Sequence, residues 1–289
     1  MKICLKCGNR FERPEWECPA CNFAPTNKGG FLSFAPEQSN GGDGFKEEYF
    51  AELESVENNN FWFRSRNELI IYALKRFFPE AKTMMEIGCG TGFVLSGIKK
   101  ALPEISVTGS ELFSAGLGFA ATRLPKADLF QMDARKIPFE QAFDVIGAFD
   151  LIEHIEEDEV VLSRIHNALR PGGGLILTVP QHPFLWSDFD RIACHVRRYR
   201  ASELKAKVER AGFRVVKTTS FMYLLFPLML AMRLKPVPDP EKYDVMKPMR
   251  LSHGINNIFE MLLGFERALI RMGVAPPFGG SLLLVAEKN

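Results

Sequence analysis

The chain has no run of about 20 apolar residues, the length a helix needs to cross a bilayer, and so shows no transmembrane segment. Its opening, Met1-Lys2-Ile3-Cys4, lacks the long apolar core of a secretory signal, and a cytoplasmic location is the expectation. An excess of one charge is also missing. The formal net charge is +1, which gives no global pull on nucleic acid and leaves any polyanion binding to a local patch. Beyond residue 21 only two cysteines remain, Cys89 and Cys194, each isolated. What is present is ordinary for a globular protein: 46% apolar and 25% charged residues, in a 289-residue chain that can hold one substantial α/β domain and something small.

The other four cysteines form two close pairs, Cys4-x-x-Cys7 and Cys18-x-x-Cys21. Such pairs bring four thiolates together tetrahedrally on Zn2+, and Lys6, Gly8 and Asn22 suit the tight turns around a metal. A disulfide-stapled knob is the competing reading, which a reducing compartment disfavours. With four protein ligands, the zinc is expected to be structural. A zinc ribbon over residues 1–25 is therefore followed by a Gly-, Ser-, Asn- and Pro-rich stretch, 26–45, that reads as a flexible linker. Residues 46–289 form the main domain, with a short helix expected over 46–53.

The strongest motif is Met84-Met85-Glu86-Ile87-Gly88-Cys89-Gly90-Thr91-Gly92-Phe93, an apolar strand running into a glycine turn that opens a helix. Glycine lets the backbone pass close beneath a ligand, and the following amides favour polar or anionic groups. The spacing is Gly-x-Gly-x-Gly rather than the dinucleotide Gly-x-Gly-x-x-Gly. Glu86 would repel a diphosphate there, and suits a cofactor bearing a sulfonium or ammonium group. Glu111, about 20 residues on at the end of the next apolar run, is placed to hold two ribose hydroxyls. A third strand, 128–132, ends at Asp133, within reach of an adenine amino group.

This ordered series resembles the class I S-adenosylmethionine-dependent methyltransferases. The match continues through residues 143–155 and the Leu169-Arg170-Pro171-Gly172-Gly173-Gly174 turn, covering about 84–220 and a final strand at 281–287. The resemblance implies an α/β, Rossmann-like seven-stranded methyltransferase sheet, mostly parallel with the last strand antiparallel and helices on both faces. It implies cofactor contacts from Glu86, Gly88, Cys89, Gly90, Gly92, Glu111, Leu112, Asp133, Ala134, Phe149 and Asp150. The alternation of strand and helix patterns from 83 to 179 demands the same parallel sheet, with ligands at the strands' C-terminal ends. The aromatic segment Phe61-Trp62-Phe63-Arg64-Ser65-Arg66 is either a helix-entry packing cluster or a flap in which Arg64 or Arg66 reaches the methionine carboxylate.

Residues 221–280 replace what is usually a short connection. They hold an apolar run, 221–232, followed by Arg233 and Lys235. A helical pattern over 255–272 places Ile255, Ile258, Phe259, Leu262, Leu263, Leu269 and Ile270 on one stripe. The two pieces either bury each other as an added lobe or form a greasy cap, with peripheral membrane contact through 221–235. Methyl transfer needs a base only when the acceptor still carries its proton. Candidates are His154, in the cleft wall, and His182 and His195, beyond the fifth strand, with Trp186 and Tyr199 as an acceptor wall. The preferred function is O-methylation of a small or lipid-linked metabolite. The alternatives are RNA methylation using the ribbon, less favoured given the near-neutral charge, and a cofactor-binding scaffold without turnover.

Overall fold

The computed structural model describes residues 1–39, 48–234 and 247–289. Lys46 and Lys235, which enter the expected first helix and the expected membrane-facing segment, lie outside the described residues. The N-terminal module is a two-stranded ribbon, β1 (Lys2–Ile3) and β2 (Arg10–Phe11). Two short strands follow, β3 (Thr26–Lys28) and β4 (Phe31–Ser33). Helices α1 (Glu48–Glu57) and α2 (Phe61–Phe77) lead into the alternating region. That region runs β5 (Thr83–Ile87), α3 (Phe93–Ala101), β6 (Ser106–Glu111), α4 (Ser114–Arg123), β7 (Asp128–Gln131) and β8 (Phe143–Phe149). It continues with α5 (Asp158–Ala168), β9 (Leu169–Pro180), α6 (Asp188–Ile192), α7 (Ala201–Arg210) and β10 (Phe213–Phe221). Helices α8 (Phe226–Arg233) and α9 (His253–Arg271) precede the last strand, β11 (Ser281–Lys288).

The main sheet has the order β10-β11-β9-β8-β5-β6-β7-β4-β3. Strands β9, β8, β5, β6, β7 and β4 are parallel, while β11 runs antiparallel between β9 and β10. Its strands are buried on both faces because successive residues alternate between two cores. Leu282, Leu284 and Ala286 of β11 face one core with Val161, Ile165 and Leu204 of α5 and α7. Leu283 and Val285 face the other, with Ile70, Leu95 and Leu117 of α2, α3 and α4.

The expected seven strands, β5–β11, are present, and β4 and β3 extend the sheet to nine. Residues 26–33 are therefore sheet edge rather than flexible linker. The reason is tertiary. Buried Gln131 accepts from Ser33 Oγ at 2.7 Å and Ala35 N at 3.1 Å, and its amide donates to the Ala35 and Leu112 carbonyls, each at 2.8 Å. The ribbon is fastened to the same edge. Ile3 N donates to Pro138 O at 2.9 Å, and Arg10 pairs with Glu140. Trp16 packs edge-on against Phe34, Phe130 and Phe139, with ring centroids 4.7, 5.7 and 5.4 Å away. Trp16→Ala is expected to cost about 2 kcal/mol of stability through these lost contacts. An unchanged urea midpoint would show that the ribbon adds nothing to the domain's stability.

The insertion departs from one expectation. The apolar run is split: Phe221 closes β10, and the short α8 buries none of its residues. Helix α9 packs along α2, where Phe259 meets Phe61 at 5.1 Å and Arg267 bonds Ser65 and pairs with Glu68 at 3.0 Å. Leu263 and Ile270 are buried, but Ile255 and Ile258 of the same expected stripe face outward. Seven apolar positions make a stripe wider than α2 covers. Among the described residues no helix is long and apolar enough to cross a membrane.

Candidate active site

The C-terminal ends of β5, β6, β7 and β8 open on a cleft of about 1400 Å³. Its floor is the glycine turn between β5 and α3. Gly88 has φ +71°, and a Cβ there would stand 2.7 Å from Leu151 Cδ1, so the turn requires glycine. Gly92 (φ +74°) has a different task from the one expected. It does not line the cleft but caps α3, where a Cβ would come within 3.0 Å of Ala120 Cα in α4. Gly88, Cys89 and Gly90 do line it.

Glu86 reaches the cleft from β5. It is buried, and its Oε2 has no hydrogen-bond partner among the described residues. Burial pushes its carboxyl well above the usual carboxylate range, with the charge of Arg66 acting the other way. A buried acid with one oxygen left unpaired fits a positively charged ligand group. Glu111, at the end of β6, accepts from Gly90 N at 3.0 Å and from Leu112 N and Phe113 N at 2.7 and 3.2 Å. Burial raises it, and these amides partly offset the rise. Leu112, Ala134 and Phe149 line the cleft, as does Asp133. Asp133 is engaged by Arg135 at 2.9–3.1 Å, and this pairing outweighs burial and holds the acid below its ordinary value.

Arg66, not Arg64, belongs to the cleft. Arg64 is about half exposed and lies 3.8 Å from Glu260. Arg66 is buried, stacks over Trp62 at 4.4 Å and pairs with Asp150. Asp150 has φ +53° and accepts from Thr178 Oγ1 at 3.0 Å. Residues two apart on a helix point to opposite sides, so only one of the two arginines can face inward.

The opposite wall is built from the segment after β9. Asp190 accepts from His195 Nδ1 at 3.0 Å, Arg198 Nε at 2.7 Å, Arg233 Nη1 at 2.7 Å and Ser187 N at 3.0 Å. Burial opposes its ionisation, but His195, Arg198 and Arg233 together bring Asp190 down to about 2. An ionised carboxylate only accepts, so Nδ1 carries the proton in the neutral His195 ring, whose Nε2 then keeps a lone pair. His154 meets His195 edge to face at 4.8 Å and donates Nδ1–H to the Cys194 carbonyl at 3.2 Å. Burial and His195 bring His154 down to about 4, leaving it neutral near pH 7. Both line the cleft. His182 does not: it lies outside the lining, against Phe184 and Phe226, with Nε2 buried and unpartnered among the described residues.

A family model described as a methyltransferase domain matches residues 62–218. The chain belongs to this methyltransferase domain family. A probable S-adenosylmethionine-dependent methyltransferase of Mycolicibacterium smegmatis is 27% identical over 169 residues, 57% of this chain and 64% of that protein. A phthiotriol/phenolphthiotriol dimycocerosates methyltransferase of Mycobacterium ulcerans is 30% identical over 134 residues, 45% of this chain and 49% of its own length. The chain thus spans less than two thirds of the length of either relative. A solved phosphoethanolamine N-methyltransferase of Haemonchus contortus, in complex with S-adenosylhomocysteine, shares the fold. Its TM-score is 0.56 at 20% identity, covering 84% of this chain and 57% of that one.

Around this methyltransferase domain the structure adds two features. The first was not read from the sequence. Glu57, at the end of α1, accepts from Thr91 Oγ1 at 2.6 and 2.9 Å and from Arg123 Nη1 at 2.6 Å. This buried link pins α1 to the glycine turn and brings Phe50 and Leu53 into the cleft wall. No local spacing joins Glu57 to Arg123, so no sequence signal marks the link. The second is the cysteine cluster. Cys4 and Cys21 sulfurs lie 3.6 Å apart, as do those of Cys7 and Cys18, and all four fall within 4.8 Å of one another. Zn–S bonds of about 2.3 Å in a tetrahedron place sulfurs about 3.8 Å apart. The four thiols therefore fit the ion.

Proposed function

We propose that this chain transfers a methyl group from S-adenosylmethionine to an oxygen of a small or lipid-linked acceptor, with a structural Zn2+ held by Cys4, Cys7, Cys18 and Cys21. The observation that carries the cofactor reading is the buried Glu86 carboxyl beside the glycine turn, whose Oε2 has no hydrogen-bond partner among the described residues. S-adenosylmethionine, when bound, supplies an electrophilic methyl group. Glu86 answers its ammonium or sulfonium charge, Glu111 its ribose hydroxyls, and Asp133 and Ala134 border the base. Of the two arginines considered for the methionine carboxylate, Arg66, drawn to Asp150 here, takes that role.

His195 faces the acceptor half, and acceptor activation falls to its Nε2. Support for an apolar acceptor comes from Met222, Leu225, Met229 and Met232, which line that side of the cleft. The Mycobacterium ulcerans relative named for phthiotriol and phenolphthiotriol dimycocerosates points the same way. The exposed Leu228, Met232 and Leu234 around α8 would bring the cleft mouth against a membrane surface holding such an acceptor. Residues 1–36 contribute nothing to the described lining, which favours a structural ribbon over one that touches nucleic acid.

Titration calorimetry with S-adenosylmethionine, in two buffers of different ionisation enthalpy, tests the cofactor reading. Burial shifts the Glu86 carboxyl toward its protonated form, and a cation beside it favours ionisation. Binding is therefore expected to release protons and to tighten as pH rises. Tight binding without proton release would remove Glu86 from the cationic contact. No binding to a folded, zinc-loaded sample would sink the assignment.

A further inference from the structure

One acid in the acceptor half is left unexplained by methyl transfer. Glu153 is fully buried, lines the cleft, and has neither carboxylate oxygen hydrogen-bonded among the described residues. Its acidic neighbours are answered: Asp150 by Arg66, and Asp190 by Arg198 and Arg233. A buried carboxyl is costly to leave unmatched even when neutral, since it then has a donor and an acceptor to satisfy.

Two imidazoles stand beside it. One nitrogen from His154, one from His195 and an oxygen of Glu153 lie within 4.8 Å of one another. Each ring already has an oxygen acceptor behind Nδ1, the Cys194 carbonyl for His154 and Asp190 for His195. In the neutral rings that leaves the Nε2 lone pairs to bind. Proteins orient metal-bound histidines in this way, with a carbonyl or carboxylate fixing the tautomer from behind.

We propose that Glu153, His154 and His195 form a divalent-cation site, two imidazoles and one carboxylate, that opens on the acceptor half of the cleft. The site rests on the methyl-transfer reading for its purpose, not for its existence. A mixed nitrogen and oxygen donor set suits Zn2+, Co2+, Mn2+ or Fe2+, and three protein ligands leave positions for an acceptor oxygen. An ion there lowers the pKa of a bound hydroxyl. The O–H bond breaks, the proton leaves to solvent water, and the electron pair stays on the oxygen held by the ion. His195 then acts on the acceptor through the metal, and the substrate class is an acceptor whose reacting oxygen can coordinate.

The test uses the full chain. Zinc-loaded protein is saturated with Co2+, desalted, and its total zinc and cobalt counted per chain by mass spectrometry. Wild type is expected to hold one ion more than Glu153→Gln or His195→Gln. The affinity for that Co2+ is expected to fall at least about 100-fold in either variant, and about 10–100-fold in Asp190→Asn, which acts behind His195. S-adenosylmethionine affinity in the same samples reports that the variants are folded. Equal metal counts in wild type and Glu153→Gln would overturn the site. Cofactor binding with equal counts would leave methyl transfer standing without the metal. A metal difference without cofactor binding would do the reverse.

Discussion

Glu111→Ala is expected to weaken S-adenosylmethionine binding by about 3 kcal/mol, roughly 100-fold or more. Two losses combine. The charge-assisted bonds proposed to the ribose hydroxyls disappear, and the amides of Gly90, Leu112 and Phe113 lose their common acceptor. Gly90 lies in the cofactor turn itself, so the substitution loosens the floor of the cleft as well as its rim. Glu111→Gln keeps one oxygen for these amides and is expected to cost less. Titration calorimetry decides the matter: unchanged affinity in the alanine variant would place the ribose elsewhere.

His195→Ala is expected to act on the other half of the reaction. Turnover should fall by about 10²–10⁴-fold, the range of a lost proton-handling group, while cofactor affinity changes less than about 2-fold. The split follows from position, since His195 stands on the wall after β9 and the proposed cofactor residues stand at the ends of β5–β8. It holds whether Nε2 takes the acceptor's proton or holds a metal ion that acidifies it. The readout is S-adenosylhomocysteine formed with a lipid extract as acceptor source, beside binding of S-adenosylmethionine to the same variant. Equal turnover in variant and wild type would exclude His195 from activation. A parallel loss of cofactor affinity would mean that the substitution had disturbed the whole cleft.

Several features were legible because short stretches of chain create them. The Cys4-x-x-Cys7 and Cys18-x-x-Cys21 pairs converge because each pair lies on one turn. Glu86 and the glycine turn are adjacent in sequence, and β6 delivers Glu111 to the rim by its length alone. The parallel sheet followed from alternation, since each helical crossover returns the chain to the same end of the sheet. Histidines after β9 were recognisable as candidates, but not their directions. His195 is turned inward by Asp190, whereas His182, with φ +64°, packs outside the cleft lining against Phe184 and Phe226.

By itself, then, the sequence determined the strand and helix alternation from β5 to β9, the glycine turn, the acids at strand ends and the four-thiol cluster. Tertiary structure decided that residues 26–33 become sheet edge, through Gln131 about 100 positions later. It decided that Arg66 rather than Arg64 faces the cleft, through the side on which α2 packs. It also decided that Glu57 locks α1 onto Thr91 and Arg123, and that Glu153, His154 and His195 converge. Backbone geometry fixes relations within a turn or two of chain. Which side chains meet across a hundred residues depends on how whole faces pack, and no local spacing encodes that.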